Sequence, residues 1–352
     1  MQLPVHTDIS AYASHGKVPT FRLIYDQLNR VSELINEQLT APAPACAGLK
    51  SASRHRRTEN VSRLLEYVSR RSGKMVRPGL VLLAGSCCGK INDEHIRVAA
   101  IIEMIHNATL LHDDVIDEGQ KRRGLPTINS LWGNESAVLL GDFVLSQVFK
   151  MCAELQSHIA RVIAAAAARL CEGELKQIVQ RQNWQLSEPE YIDAITEKSA
   201  VLFSSACYLG GILAQASEQQ ARSLAEFGLN AGIAFQITDD LLDIVGDESK
   251  TGKTLGSDVD KHKLTLAVIH LLRAANKKEK NMIISSYLER KEAQYDKGAL
   301  VEMLGRYDSL EYARSRAQEF VTTAIRALAD LKQSEAKDAL IETSEFMANR
   351  GS

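Results

Sequence analysis

The chain has 352 residues, of which 45% are apolar and 24% are charged, so it is large enough to bury the core of a globular protein. Its formal net charge of −2 argues against general binding to nucleic acid, which requires a basic surface. The six cysteines form no Cys-x-x-Cys pair, which favours buried reduced thiols over disulfides or a zinc site. No signal peptide and no apolar stretch long enough to span a bilayer is visible, which predicts a cytoplasmic protein with at most peripheral membrane contact.

The predicted elements are almost all helices. Residues 1–19 read as a frayed N-terminus, residues 20–39 have apolar side chains at helical spacing, and residues 41–60 read as a loop. Helical patterns then cover residues 61–71, 76–88, 93–116, 134–155, 158–184, 188–216, 217–245, 263–275, 277–291, 298–304 and a pair within 309–350. No alternating strand pattern of useful length, internal repeat or long linker interrupts them. The sequence therefore predicts one all-α domain over residues 20–350, a large helical bundle.

Two clusters of aspartate stand at the C-terminal ends of apolar helices. The first cluster comprises Asp113, Asp114 and Asp117, and the second comprises Gln236, Asp239, Asp240 and Asp243. Because each helical residue advances by about 100°, His106, Asp113 and Asp117 share one stripe. The members of the second cluster share one broad face in the same way.

Free carboxylates are unfavourable at these positions, because a helix C-terminus already carries partial negative charge and like charges one turn apart repel. A cation removes both penalties, and carboxylate oxygens without nearby His or Cys suit Mg²⁺, whose coordination substrate phosphates usually complete. Neither cluster has the spacing of an EF-hand loop. A di-iron site needs two Glu-x-x-His pairs, and only Glu103 with His106 supplies one. The alternative is a pair of solvated acidic faces.

A diphosphate substrate would require positive charge beyond the metal, and basic residues stand in four places. They are Lys74 with Arg77, Arg122 with Arg123, Lys198, and Lys253 with Lys263. Glycines near Lys74 and Lys253 would let the backbone approach phosphate oxygens closely. A single Lys or Arg is more often a solvent-exposed surface residue. Arg122 and Arg123 are the exception, because they follow Asp114 closely in a segment that leaves the helix.

Taken together, the motifs resemble those of the trans-prenyltransferase family, the head-to-tail all-trans isoprenyl diphosphate synthases, over about residues 20–350. The matching motifs, in chain order, are SGKMVRP, EMIHNATLLHDDVIDEGQKRRG, LLGDFVLS, EGEL, EKSA, AFQITDDLLDIVGD and GKTLGSDVDKHKLTL. The resemblance implies an all-α isoprenoid-synthase bundle around a deep central cavity, usually as a homodimer. It also implies that the two aspartate motifs face each other and hold about three Mg²⁺ ions on the allylic diphosphate.

The resemblance implies a role for each matching residue. Six aspartates and Lys198 form the catalytic set, with Asp113, Asp117 and Asp239 as direct metal ligands and Asp114, Asp240 and Asp243 in support. The implied allylic-diphosphate contacts are Arg122, Lys198, Ser199, Gln236, Lys253 and Lys263. The implied isopentenyl-diphosphate contacts are Lys74, Arg77, His106 and Arg123. The chain departs from the usual pattern at Ser72, Ser199, Ala267 and His262, the last of which replaces a glycine next to Lys263.

The implied reaction is the Mg²⁺-dependent condensation of isopentenyl diphosphate with an allylic diphosphate, in which the departing diphosphate takes the proton. Ala108 and Thr109, just before the first motif, are not aromatic, and the motif carries no insertion, which predicts a medium- or long-chain product (C25 or longer). A short-chain farnesyl or geranylgeranyl diphosphate synthase and a non-catalytic subunit of a heteromeric synthase are the alternatives. A class I terpene cyclase is disfavoured, because it lacks the isopentenyl-diphosphate residues.

Overall fold

The computed structural model describes residues 19–40, 59–69, 73–122, 124–181, 183–245, 263–288 and 297–349, and this part of the chain is almost entirely helical. A short 3₁₀ helix, Pro19–Ile24, comes first. The α-helices are α1 (Tyr25–Thr40), α2 (Glu59–Ser69), α3 (Val76–Cys88), α4 (Asp93–Ile116), α5 (Ile128–Trp132), α6 (Asn134–Cys152), α7 (Ser157–Val179), α8 (Glu188–Ile195), α9 (Val201–Leu213), α10 (Glu218–Val245), α11 (Leu266–Ala274), α12 (Lys277–Leu288), α13 (Lys297–Arg306), α14 (Ser309–Ala327) and α15 (Glu335–Ala348). The predicted all-α bundle is confirmed.

Helix α4 lies at the centre of the bundle and ends at the first aspartate cluster. Its N-terminus is fixed by a capping box, in which the Asn92 side chain accepts from the His95 backbone N–H at 3.2 Å and the His95 ring reaches back to the Asn92 N–H. Its middle turns are buried on all sides, which is typical of an internal helix. The observed bounds, Asp93–Ile116, are those that the apolar pattern predicts.

Two apolar cores lie along the bundle, and α10 contributes to both. The larger core is built mainly from α1, α3, α4, α6, α7 and α9. The smaller core is built mainly from α8, α11, α13 and α14. Phe227 and Ala231 of α10 pack in the larger core, whereas Ile237 and Leu241 pack in the smaller one. The second aspartate cluster therefore stands on a helix that is anchored along most of its length.

The structure corrects three details of the predicted elements. The helix predicted over residues 188–216 is interrupted by one π-helical turn, Thr196–Ala200, which we call the π segment. The helix predicted to reach residue 184 ends at Val179. A short hairpin also follows the first cluster, since β1 (Lys121–Arg122) pairs antiparallel with β2 (Leu125–Pro126). Two-residue strands leave too short a pattern for a sequence to show.

The cysteines and the helix compositions bear on two of the simpler predictions. Within the described residues, the five cysteines are free thiols, but only Cys207 is fully buried. Cys87, Cys88 and Cys152 are half-buried and Cys171 is exposed, so the prediction of buried thiols is wrong for Cys171. Cys46 lies outside the described residues. Among the described helices, none combines the length and the apolar composition that a membrane span requires.

Candidate active site

The first aspartate cluster occupies the end of α4, where its three carboxylates have different surroundings. Asp114 is buried, and its Oδ1 accepts a 2.7 Å hydrogen bond from Nε of Arg122 on β1. The backbone carbonyl of Asp114 accepts from the Gly119 N–H at 2.8 Å and from the Asn129 side chain at 3.1 Å. Asp114 therefore fixes the hairpin to the end of α4, which fits a supporting role.

Asp113 is a carboxyl group in an environment that disfavours its charge. Burial raises its pKa to about 6, with smaller increases from the negative charges of Glu174 and Asp117. The nearby ammonium of Lys198 and the guanidinium of Arg122 lower the pKa and only partly offset the burial. A divalent cation would favour the ionised form of such a group.

Asp117 caps the C-terminus of α4 and lies between two cations. Nζ of Lys263 lies 3.4 Å from its Oδ2, and Nη2 of Arg181 lies 3.6 Å from its Oδ1. Lys263 belongs to the segment that enters α11. Its contact with Asp117 therefore brings a residue that follows the second cluster in sequence to the end of α4. Lys263 is one of the predicted diphosphate contacts, and the structure brings it to the first cluster.

Lys198 lies in the π segment, a type of turn that is frequent at functional sites. Its Nζ lies 2.5 Å from Oε1 of Glu174 and donates to Oε1 of Gln177 at 2.8 Å, both on α7. Gly173 permits this approach, since a Cβ there would lie 2.3 Å from the Lys198 backbone nitrogen. The neighbouring Glu197 forms a bidentate ion pair with Arg169, with distances of 2.7 and 2.8 Å.

The second cluster contains a chain of hydrogen bonds that leads to Asp240. Ser199 Oγ donates to Gln236 Oε1 at 2.7 Å, and Gln236 Nε2 donates to Asp240 Oδ1 at 2.8 Å. The Tyr191 hydroxyl donates to Asp240 Oδ2 at 2.6 Å. Asp240 is buried, while Asp239 and Asp243 on the same turns of α10 are half-buried. Asp240 is thus held at both oxygens.

The π segment connects the two clusters. Lys198 lies close enough to Asp113 to lower its pKa, and the next residue, Ser199, bonds to the second cluster through Gln236. The structure therefore brings together the first cluster, Lys198, Ser199, Gln236 and Asp240 around one turn of chain. Electrostatic forces act strongly here, because several of these groups are buried.

Of the predicted isopentenyl-diphosphate residues, Arg77 lies on α3, His106 lies on α4 and Lys74 comes just before α3. Arg77 is buried with its guanidinium over the Phe203 ring, 4.5 Å from the centroid, in a cation–π contact. Phe203 in turn packs against Phe235, the residue before Gln236, at 5.2 Å between centroids. His106 is half-buried, and Lys74 is exposed two residues before α3. Arg77 and the second cluster therefore flank one aromatic pair.

Some predicted positions cannot be placed in this way. Arg123, Lys253, Ser72 and His262 lie outside the described residues. The chain-length candidates lie on α4, where Ala108 is fully buried. Thr109 is half-buried and its hydroxyl donates to the His106 carbonyl at 2.8 Å.

The described residues fit Mg²⁺ as a partial ligand set. Among them, no three His, Cys, Asp or Glu side chains lie close enough together to form a metal site by themselves. Mg²⁺ commonly takes one or two carboxylates and completes its shell with water and substrate phosphates. Asp113, which is desolvated, and Asp117 are oxygen donors of this kind at the end of α4, and Asp239 as a further ligand stays a prediction.

Sequence reasoning gave no role to several residues that the structure places at the site. They are Glu174, Gln177, Arg181, Tyr191 and Phe203. Glu174 belongs to the EGEL motif, and Tyr191 precedes Lys198 by about two helical turns, so both could have been found by position. Arg181 stands in a polar stretch without any distinguishing pattern.

An all-α bundle in which one turn of chain, with a partly buried lysine, lies next to two aspartate clusters is the architecture of an isoprenoid synthase. A model of the polyprenyl synthetase family matches residues 58–304, and the chain belongs to this family. It is accordingly an enzyme, a prenyltransferase, and the resemblance to the trans-prenyltransferases is confirmed.

Similar proteins include synthases whose names state different product lengths. Octaprenyl diphosphate synthase of Escherichia coli (strain K12) is 34% identical over 291 residues, which is 82% of this chain and 90% of that protein. A short chain isoprenyl diphosphate synthase of Methanothermobacter thermautotrophicus is 33% identical over 297 residues, 83% of this chain and 91% of that protein.

A solved structure with the same fold contains a cation and a substrate-like ligand. Polyprenyl synthase from Caulobacter crescentus CB15, complexed with calcium and isoprenyl diphosphate, has a TM-score of 0.86 and 28% identity and covers 95% of this chain and 97% of that one.

Proposed function

We propose that the chain catalyses the Mg²⁺-dependent, chain-elongating condensation of isopentenyl diphosphate with an allylic diphosphate to an all-trans polyprenyl diphosphate. One observation carries the proposal, which is that the π segment connects the two aspartate clusters through Lys198 and Ser199. A diphosphate between two acidic motifs needs positive charge beside it, which Lys198 would supply. The calcium and isoprenyl diphosphate in the Caulobacter structure support this reading of the site.

In this proposal Asp113, Asp117 and Asp239 hold about three Mg²⁺ ions together with the diphosphate oxygens. When bound, Mg²⁺ neutralises the charge that develops on the departing diphosphate. Asp114, Asp240 and Asp243 support the ligands, since Asp114 is bonded to Arg122 and Asp240 to Gln236 and Tyr191. This assignment answers why carboxylates crowd at two helix ends.

The cationic residues bind and orient the two substrates. Arg122, Lys198, Ser199, Gln236, Lys253 and Lys263 contact the allylic diphosphate, and Lys74, Arg77, His106 and Arg123 contact isopentenyl diphosphate. Lys198 and Lys263 support this assignment best. Each already forms an ion pair with a carboxylate of the site, and a phosphate oxygen is an anion of the same kind that it would bind. The Phe203–Phe235 pair places apolar surface beside Arg77, which suits the hydrocarbon end of the substrate.

The product is a medium- or long-chain prenyl diphosphate, C25 or longer. Neither Ala108 nor Thr109 presents an aromatic ring on α4, so neither blocks a chain that extends below the first cluster. A short-chain farnesyl or geranylgeranyl product is the alternative, and the two relatives named above fall on both sides of this division.

Each chain forms one synthase domain, residues 20–350. The active form is a homodimer of this chain, in the cytoplasm. Apolar side chains on α6 and α7 support the dimer, because Leu139, Phe149, Leu175 and Val179 are 67%, 70%, 62% and 83% exposed. Exposed apolar side chains that lie together mark interaction surfaces, and Leu175 and Val179 lie one turn apart on α7. The alternative of a non-catalytic subunit is disfavoured, because the chain keeps both aspartate motifs.

A product assay tests the proposal. Purified protein is incubated with Mg²⁺, labelled isopentenyl diphosphate and each of the C5, C10, C15 and C20 allylic diphosphates, and the products are sized. We expect incorporation into chains of C25 or longer, and loss of incorporation in Asp117→Asn but not in the surface variant Asp330→Asn. Absence of label from every product would contradict the proposal, and activity that needs a second polypeptide would favour the subunit alternative.

A further inference from the structure

Arg181 is a cation of the candidate site for which the motifs provide no role. It lies just after the end of α7, and Nη2 of its guanidinium lies 3.6 Å from Oδ1 of Asp117. This separation is an ion pair but is too long for a hydrogen bond. Its Nε is buried and, within the described part of the chain, has no hydrogen-bond partner. A guanidinium has five N–H donors, and the buried Nε is one that no described residue accepts from in this position.

Arg181, two residues past the end of α7, continues the spacing of a stripe of α7 that already serves the site. Glu174 and Gln177 both contact Lys198, and Arg181 follows them at a further spacing of four residues. Residues three and four apart lie on the same face of a helix. The end of α7 therefore directs Glu174, Gln177 and Arg181 to the same region, which includes Asp113 and Asp117.

The charge balance at Asp117 indicates what Arg181 is for. Lys263 lies 3.4 Å from the other oxygen of the same carboxylate. If Asp117 takes a divalent cation, the two positive side chains beside it are repelled and need another anion within reach. The diphosphate that the cation binds is such an anion, and the planar guanidinium matches phosphate oxygens better than an ammonium does.

We propose that Arg181 is a further diphosphate-contact residue, which exchanges Asp117 for the substrate diphosphate when Asp117 takes up Mg²⁺. This inference rests on the proposed function, since it requires a diphosphate between the two clusters. It adds a residue of the α7 end to the cationic groups already assigned.

The test is calorimetric binding of inorganic pyrophosphate to the full-length protein in the presence of Mg²⁺. We expect Arg181→Gln to weaken binding by about tenfold to a hundredfold, as for loss of a charge-assisted hydrogen bond, and Arg181→Lys to weaken it less. Titration of EDTA-treated protein with Mg²⁺ alone should show equal or tighter binding in Arg181→Gln, because a competing cation has left Asp117.

A matched control is Arg161→Gln, which removes the same charge from an exposed position at the other end of α7. We expect this variant to bind pyrophosphate as the unsubstituted protein does. Unchanged pyrophosphate binding in Arg181→Gln would overturn the inference and leave the proposed function intact. Equal weakening in Arg161→Gln, or weaker binding of Mg²⁺ alone in Arg181→Gln, would also overturn it. Failure of the unsubstituted protein to bind Mg²⁺ and pyrophosphate would instead overturn the proposed function and with it this inference.

Discussion

Tyr191 and Asp240 are 49 residues apart in sequence, yet the tyrosine hydroxyl donates a 2.6 Å hydrogen bond to Oδ2 of the buried aspartate. Gln236 donates to the other oxygen at 2.8 Å. With hydrogen bonds to both of its oxygens, Asp240 is a fixed support within the second cluster. Asp239 and Asp243, on the same turns of the helix, are half-buried. Tyr191 thus positions the second cluster without belonging to either motif.

Removal of the Tyr191 hydroxyl should lower kcat more than it changes KM for either substrate. Tyr191→Phe keeps the ring in the smaller core but leaves Asp240 Oδ2 without its donor, at a cost of about 1–3 kcal/mol for a buried acceptor. We expect kcat to fall by about tenfold and the Mg²⁺ concentration for half-maximal activity to rise. Steady-state kinetics at varied Mg²⁺ checks both.

Tyr307→Phe is a matched control, because the Tyr307 hydroxyl also donates to a carboxylate, that of Glu279, away from the two clusters. Its kinetic constants should stay unchanged. Equal losses of kcat in the two variants would show that Tyr191 does not act by holding Asp240 in place at the site.

Gly173 should be essential for activity because it lets α7 approach the π segment. In Gly173→Ala, the new Cβ would lie 2.3 Å from the Lys198 backbone nitrogen and 2.7 Å from the Glu197 carbonyl carbon. Backbone atoms cannot give way as a flexible side chain can, so Lys198 should shift relative to Glu174. We expect a loss of at least about tenfold in kcat/KM, in line with displacement of one preorganised charge. Gly305→Ala on α13 is the control, since no atom lies within 4 Å of its added Cβ.

The sequence predicts the helices well where local chemistry decides. The bounds of α4 follow from an N-cap residue, acidic residues in the first turn and a continuous apolar run. The two aspartate clusters are visible because their carboxylates are costly at helix ends without a cation. Such features are encoded in neighbouring residues and need no knowledge of the rest of the chain.

Features that depend on distant contacts are not visible in the sequence. The π segment arises where α7 packs at Gly173 against Glu197 and Lys198, and nothing in TEKSA itself departs from a helical pattern. The contact between Lys263 and Asp117 joins residues 146 positions apart. Arg181 is found only because the end of α7 comes beside the end of α4. Tertiary packing decides these placements, and the helix propensities of the residues do not predict them.

Bulk at the two positions before the first cluster should shorten the product. Ala108→Phe and Thr109→Phe each add an aromatic ring on α4 below Asp113, where the growing chain is proposed to extend. We expect products several isoprene units shorter in both, measured by chromatography of labelled products. Ala108 is fully buried, so its variant should also lose about 1–3 kcal/mol of stability by overpacking.

Thr109→Ser is the control for chain length, because it keeps the hydroxyl that bonds the His106 carbonyl and adds no bulk. Its products should match those of the unsubstituted protein. An unchanged distribution in both phenylalanine variants would show that the chain does not pass these positions.

Charge on the exposed apolar face of α7 should dissociate the proposed dimer. The double variant Leu175→Glu and Val179→Glu places two negative charges one turn apart on side chains that are 62% and 83% exposed. We expect a halved mass by sedimentation, with helical content retained. Met282→Glu on α12, at a side chain 52% exposed elsewhere on the surface, should leave the mass unchanged. A monomeric unsubstituted protein would contradict the dimer directly.

Asp113 should destabilise the EDTA-treated protein at neutral pH and stabilise it once Mg²⁺ and pyrophosphate are added. Burial raises its pKa from 3.8 to about 6, so the folded state favours the protonated carboxyl. The stability that this preference provides is fully present below about pH 4 and is lost as the pH rises through about 6. At pH 8, replacement by the uncharged Asp113→Asn should therefore raise the stability of the EDTA-treated protein by about 1–3 kcal/mol, and at pH 4 it should change little.

Added ligand should reverse this order. At about a hundred times its dissociation constant, Mg²⁺ with pyrophosphate stabilises a protein that binds it by about 2.7 kcal/mol, and Asp113→Asn should lose most of that gain. Thermal unfolding at pH 8, with EDTA and then with Mg²⁺ and pyrophosphate, measures both halves of the prediction. The exposed Asp330→Asn serves as a control that removes a charge without a change of burial. Equal midpoints for Asp113→Asn and the unsubstituted protein in EDTA at pH 8 would show that the Asp113 carboxylate is not held in an unfavourable environment, and the reason for a cation at this helix end would disappear.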